Sequence, residues 1–251
     1  MHRFFAQHEN LVGDQVTIAG ESARHMLRVL RMGVGDSFTV VDPEGRQWTA
    51  HLEEAGPLEI TGRLVEEKWG STEPPIRITL APAVLKGDKL DLVVQKATEL
   101  GVHRIMPITC HRSVTKIPPR KVTQRTERWQ RIALNAAQQS GRCAVPVVDE
   151  PRTLVWALES LTHQALIAYE GESQKGLSQA LATRATPGEL TLFTGPEGGF
   201  AADEVALARS HGVSAVGLGP RILRAETAAL TLLAVVMFQW GDLGNSAFPS
   251  S

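Results

Sequence analysis

Leu190-Thr191-Leu192-Phe193-Thr194-Gly195-Pro196-Glu197-Gly198-Gly199-Phe200 reads as a compact apolar strand running into a glycine-rich loop, and residues 203–210 continue as a helix. A second strand end is built the same way. Residues 213–218 lead into Gly219-Pro220-Arg221-Ile222-Leu223-Arg224-Ala225-Glu226-Thr227. Glycine lets backbone amides approach a ligand closely, and a neighbouring proline stiffens the turn. Either loop alone also reads as a plain strand-to-helix turn. Two together, with Arg221, Arg224 and Glu226 at the mouth of an apolar helix, say more, because charge beside buried surface needs partners. Outward from these loops, residues 76–80, 104–108 and 165–169 are further apolar runs, separated by helical periodicity over 86–100 and 121–140 that stops at Gly101 and Gly141. The alternation predicts an α/β domain whose parallel sheet is covered on both faces, with ligands beyond the carboxyl ends of its strands.

The first 73 residues read differently. Ser37 to Val41, the turn Asp42-Pro43-Glu44-Gly45 and Gln47 to Leu52 form a hairpin pattern, residues 58–65 add a strand, and one short helix is expected near 22–30. A small β-barrel fits best. Gly70-Ser71-Thr72-Glu73-Pro74-Pro75 marks the boundary, since paired prolines continue neither helix nor ladder. The expected domains are therefore 1–73 and 74–251. The last helix, 225–240, is apolar almost all round and needs cover from the core or from a second subunit.

The chain has 251 residues, 43% of them hydrophobic, and a net charge of −1, which excludes a disordered tail. No apolar run reaches the roughly 18 residues of a membrane span, and the opening residues turn polar too soon for a secretory signal. Two cysteines without metal spacing, Cys110 and Cys143, argue against a zinc site or a disulfide framework and for a cytoplasmic protein that holds no metal. The neutral total hides an asymmetry. Residues 1–73 carry 7 Lys and Arg against 12 Asp and Glu, residues 74–142 carry 13 against 4, and residues 143–251 carry 6 against 11. The basic block suits a polyanion such as RNA, though a solvated helix face would look alike.

Neither loop is a phosphate-binding GxxxxGK[ST], a dinucleotide GxGxxG or a hydrolase GxSxG. The order Gly195-Pro196-Glu197-Gly198-Gly199-Phe200, then Leu218-Gly219-Pro220-Arg221-Ile222-Leu223-Arg224-Ala225-Glu226-Thr227-Ala228, closely resembles the RsmE family of 16S ribosomal RNA uridine N3-methyltransferases. Leu85-Lys86-Gly87-Asp88-Lys89, Gln95-Lys96-Ala97-Thr98-Glu99-Leu100-Gly101, Arg128-Trp129, Gln139-Ser140-Gly141-Arg142 and the opening His2-Arg3-Phe4-Phe5 are similar to the same family. Ala225 stands where the family admits threonine.

The resemblance implies a PUA-like β-barrel followed by a SPOUT-type domain with a trefoil knot, a fold that periodicity alone would not suggest. It also implies S-adenosyl-L-methionine as cofactor, a homodimer, and 16S ribosomal RNA within a small-subunit particle as partner. The cofactor residues implied are Tyr169 and Glu170, then Thr194, Gly195, Pro196, Glu197, Gly198 and Gly199, then Leu218, Gly219, Pro220, Leu223 and Thr227. Removing the N3 proton of uracil leaves charge on the ring oxygens, which Arg224 or Arg221 would stabilise. Glu226 is expected as base or as the group orienting that arginine, although an acid in a first helical turn also answers the helix dipole. Arg112, Lys116, Arg120, Lys121, Arg125 and Arg128 are the expected RNA contacts, with Trp129 and the scattered His103, His111 and His163 as packing or solvated residues. Competing readings are a SPOUT enzyme acting on a ribose 2′-hydroxyl or another base, an inactive assembly protein, and an enzyme of small nucleotides.

Overall fold

The computed structural model describes residues 2–68, 72–183 and 185–244. Met1, Gly70 and Ser71, which the sequence reading placed at the start and at the boundary, lie outside them. The described residues divide into two compact units, one of 2–68 and 72–73 with 137–144, the other of 74–136 with 145–183 and 185–244.

In the first unit, β1 (Arg3–Phe5), β2 (Leu11–Val12), β3 (Gln15–Ala19), β4 (Ser37–Val41), β5 (Gln47–Ala55) and β6 (Glu59–Lys68) form one sheet in the order β1-β4-β5-β6-β3-β2. All neighbours are antiparallel except β1 with β4. The β4–β5 hairpin closes on Asp42, whose Oδ1 accepts the N–H groups of Glu44 and Arg46 at 3.0 and 2.8 Å. This is the side-chain turn that makes aspartate favourable there. Helix α1 (Gly20–Arg24) runs on into a π-helical turn, His25–Val29, where the Leu30 N–H reaches back five residues to the His25 carbonyl at 3.0 Å. Ala23 and Met26 are buried from this helix, and Phe4 meets Phe38 edge-on at 6.0 Å in the same core. Residues 137–144, expected in the second domain, belong to this unit for an electrostatic reason. Glu73 accepts the backbone N–H groups of Cys143 and Ala144 at 2.9 and 3.2 Å and pairs with the buried Arg142 guanidinium.

The second unit is built on β7 (Arg77–Pro82), β8 (Arg104–Ile105), β10 (Val147–Val148), β12 (Gln164–Ala168), β13 (Glu189–Thr194) and β14 (Ser214–Val216), with β9 (Ile108–Thr109) and β11 (Arg152–Thr153) paired separately. The main sheet has the order β10-β8-β7-β13-β12-β14, parallel throughout. Successive strand residues face opposite sides, and here both sides are buried. Leu166, Leu192 and Val216 join one core with α2 (Lys89–Glu99), α3 (Val122–Ser140), α5 (Leu177–Ala182) and α7 (Ala225–Trp240). Ile167, Phe193 and Ala215 join the other with α4 (Leu154–Glu159) and α6 (Ala202–Ser210).

Two features follow from the crossovers. From β14 at the sheet edge the chain passes beside residues 172–177, with the Gly217 N–H on the Lys175 carbonyl at 2.9 Å and the Leu177 N–H on the Gly217 carbonyl at 3.1 Å. It then enters α7, which packs back on α2, α5, β7 and β13. Helix α7 is covered on one side only, because Val235 and Phe238 stand 37% and 66% exposed. No described helix is long and apolar enough to cross a membrane.

Candidate active site

Three parallel strands end at one cleft of about 400 Å³, within the range of roughly 300–1,000 Å³ usual for small-molecule sites. Tyr169 and Glu170 follow β12, the 195–200 loop follows β13, and residues 217–224 follow β14. Backbone forms much of its wall. Gly199 has φ +70°, and a Cβ there would stand 2.9 Å from Glu170 Oε1. A Cβ on Gly217 would stand 2.6 Å from the Glu172 carbonyl, so the two segments meet only because no side chain intervenes.

The loop after β12 is folded around one carboxylate. Glu172 Oε1 accepts the N–H groups of Gln174 and Lys175 at 2.9 and 3.1 Å, and Oε2 accepts from the Arg209 guanidinium at 2.7 Å. Those two backbone donors, against some burial and with help from Arg209, hold this carboxyl below its ordinary value.

Opposite, Lys89 at the start of α2 places Nζ 3.5 Å from Glu197 Oε1 and 3.5 Å from Glu226 Oε2. Glu197 also accepts the Lys86 N–H at 3.0 Å. Burial pushes the Glu197 carboxyl up, but the N–H groups of Lys86 and of Glu197 itself, with the Lys89 charge, outweigh it and hold the group below the usual carboxylate range. Glu226 Oε2 is buried and makes no hydrogen bond among the described residues, leaving the Lys89 ammonium as its ion-pair partner.

Of the expected cofactor residues, Tyr169, Glu170, Gly195, Pro196, Glu197, Gly199, Leu218, Gly219, Pro220 and Leu223 line the cleft, and so do Arg221 and Arg224. Both arginines are exposed and, among the described residues, have no ion pair. Four expected residues are placed elsewhere. Thr194 is 1% exposed inside β13, Gly198 packs against Arg112, Thr227 faces solvent, and Glu226 lies beside Lys89 and, among the described residues, makes no ion pair with either arginine. Glu172, Ile222 and Ala225, which lie in the expected loops, and Lys89, Ala168, Phe200, Gly217 and Ala228, which lie outside them, complete the wall. The quoted segment 85–89 was the one signal that pointed to Lys89.

The basic segment divides. The Arg112 guanidinium donates to the Gly198 carbonyl at 3.1 Å and so sits on the glycine loop. Lys116, Arg120 and Lys121 are exposed and Arg125 half-buried. Arg128 is engaged within the unit: Nε donates to Asp91 at 2.9 Å, and Asp88 lies 3.4 Å away. These two carboxylates offset part of its charge. Trp129 is a packing residue as expected, 1% exposed with its indole N–H on Asp91 Oδ1 at 3.0 Å. His111 pairs with Asp203 at 3.3 Å and His163 bonds Thr191 at 2.9 Å, both away from the cleft. Burial, with Glu204 nearby, pushes the Cys110 thiol up to about 12, which leaves it protonated at neutral pH. Among the described residues no three His, Cys, Asp or Glu side chains gather as a metal site requires.

The donor set fits S-adenosylmethionine. Ala168, Leu218, Leu223, Ala225 and Ala228 offer apolar surface for a flat base, backbone groups of the glycine loops offer hydrogen bonds, and Glu170 and Glu197 offer negative charge toward a cationic centre.

Comparison with known proteins agrees with this geometry. An RNA methyltransferase domain family matches residues 72–237, and an RNA methyltransferase PUA domain family matches residues 18–65. A ribosomal RNA small subunit methyltransferase E from Bacillus subtilis is 34% identical over 89% of this chain and 90% of its own length. One from Synechocystis is 34% identical over 94% of this chain and 77% of its own length. The solved structure of a ribosomal RNA small subunit methyltransferase E from Neisseria gonorrhoeae, bound to S-adenosyl methionine, covers 96% of this chain and 99% of that one at 33% identity, with a TM-score of 0.87.

Proposed function

Since the chain belongs to the ribosomal RNA small subunit methyltransferase E family, we propose that its glycine-walled cleft holds S-adenosylmethionine and that the chain methylates N3 of one uridine in 16S ribosomal RNA. The observation that carries the reading is the meeting of three strand-end loops around one cleft, with two exposed arginines in its wall that have no ion pair among the described residues. The bound cofactor supplies an electrophilic methyl group on a sulfonium, so the protein needs no metal and no covalent intermediate. What its own residues must provide is alignment of the two reactants and a way to tolerate a deprotonated uracil.

The glycine loops and Tyr169 hold the donor, and Leu218 and Leu223 shut water from one side of it. Loss of the N3 proton to solvent at the exposed rim leaves negative charge on O2 and O4, which the exposed guanidiniums of Arg224 and Arg221 would offset as it develops. Arginine stays ionised and cannot take the proton. Glu226 Oε2 is buried against Lys89, which favours a positioning role over direct proton transfer. Arg112, Lys116, Arg120, Lys121 and Arg125 grip the phosphate backbone, and the domain of residues 1–73 adds recognition of the RNA in a small-subunit particle.

Two further readings belong to this proposal. The passage of Gly217 beside residues 172–177, with α7 returning to the sheet centre, supports the trefoil knot. The uncovered side of α7, with Val235 and Phe238, supports a homodimer. The protein acts in the cytoplasm, where its substrate is assembled. Mass-spectrometric mapping of 16S ribosomal RNA from cells lacking the gene tests the function: one N3-methyluridine disappears, and an unchanged map refutes the proposal.

A further inference from the structure

Resting on the reading of the cleft as the methyl-donor site, we propose that Lys89 is a positioning residue that locks two of the donor-binding loops to helix α2. Its placement is unusual in physical terms. A lysine as the first residue of a helix sets its charge against the positive end of the helix dipole. Two carboxylates offset that cost, Glu197 from the loop after β13 and Glu226 from the first turn of α7, each 3.5 Å from the ammonium. The helix itself cannot drift, because Leu90, Val93, Val94 and Ala97 lie fully inside the core. One ammonium on a fixed element thus holds two walls of the cleft, and Lys89 is part of the cleft lining itself.

The two contacts are unequal. Glu197 keeps the Lys86 N–H if Lys89 is lost. Glu226 Oε2 is buried without any hydrogen bond and has no second partner among the described residues. Without Lys89 this largely buried carboxylate loses its counter-ion, an arrangement proteins tolerate poorly. The first turn of α7 must then move to hydrate the carboxylate, and it takes Ala225 and Ala228 of the cleft wall with it.

The test is calorimetric titration of the full chain with S-adenosylmethionine in four forms: unaltered, Lys89→Met, Glu226→Gln, and both together. Lys89→Met is expected to weaken donor binding about tenfold or more, since a contact worth one factor of ten is about 1.4 kcal/mol. The double variant is expected to shed only the part of that loss caused by the stranded carboxylate and to bind donor about as weakly as Glu226→Gln, since both lack the same contact; this non-additivity is what separate structural damage would not produce. RNA affinity measured without donor stays unchanged in all four. Unaltered donor affinity in Lys89→Met overturns the proposal, and so does a double variant in which the single losses add. Should Lys89→Met not fold, a folded double variant that binds donor more weakly than the unaltered chain supports the lock, and a double variant that fails to fold or binds as the unaltered chain does overturns it. If the unaltered chain takes up no donor, the site reading itself falls and this inference with it.

Discussion

Gly217→Ala is the sharpest perturbation of the cleft. Its new methyl group would stand 2.6 Å from the Glu172 carbonyl, about 0.8 Å short of the 3.4 Å at which ordinary contact begins. The obstacle is backbone held by the Glu172 carboxylate turn, so it cannot swing aside as a side-chain tip would. Residues 172–177 and 217 must separate by most of that shortfall, which strains the hydrogen bonds of Gly217 with Lys175 and Leu177. Overpacking of this kind costs about 1–3 kcal/mol, and each hydrogen bond lost adds about 0.5–1.5 kcal/mol. Misplacing a reacting group by on the order of 1 Å lowers rates about 100-fold. Expected, then, is a chain destabilised by about 2–4 kcal/mol whose turnover falls about 100-fold. Gly176→Ala is the control: it borders the same crossing, but a Cβ there meets nothing within 4 Å. Urea unfolding and single-turnover methylation of 16S ribosomal RNA measure both. Equal behaviour of the two variants would refute the claim that backbone contact shapes this wall.

Arg224→Ala should lower kcat about 100- to 1,000-fold, as removal of one charge-stabilising donor does elsewhere, with calorimetric donor affinity nearly unchanged. A kcat near that of the unaltered chain removes Arg224 from the chemistry. The lowered Glu172 carboxyl stabilises the fold above the unfolded carboxylate value of about 4.3 and loses that contribution as pH falls through its lower folded value. The difference in melting temperature between the unaltered chain and Glu172→Gln should therefore shrink as pH drops from about 5 toward 3. A difference independent of pH contradicts the turn's electrostatic role. Each phosphate contact contributes about 0.7–0.9 to the slope of log affinity against log salt. Lys121→Ala with Arg125→Ala should flatten that slope by about 1.5, whereas Arg128→Ala, already engaged by Asp91, should leave it nearly as it was.

Local patterns carried the second unit further than the first. The apolar runs at 165–169, 190–193 and 213–218 became β12, β13 and β14 within two residues at each end, and residues 225–240 became α7 without a shift. Strands buried on both faces are continuous in sequence, and continuity is what a reader can see. In the first unit, β1 and β3 escaped notice because Arg3, Gln15 and Thr17 break the run, and their pairing with β4 and β6 depends on distant partners. The site was legible where glycine and proline shape the backbone locally. It was illegible where function rests on a distant pairing: Arg128 meets Asp91 across 37 positions, and Lys89 meets Glu197 and Glu226 across far more. A lone lysine at the start of an amphipathic helix looks like any solvated end.

The contact of Gly217 with the Glu172 carbonyl has a consequence for anyone wishing to alter the enzyme's choice of donor. Pockets lined by large side chains can be widened by trimming them, but this crossing has nothing to trim. Room for a bulkier sulfonium would require a new path for the main chain itself, so changes of selectivity should come from altered loop length rather than from point replacement at the crossing.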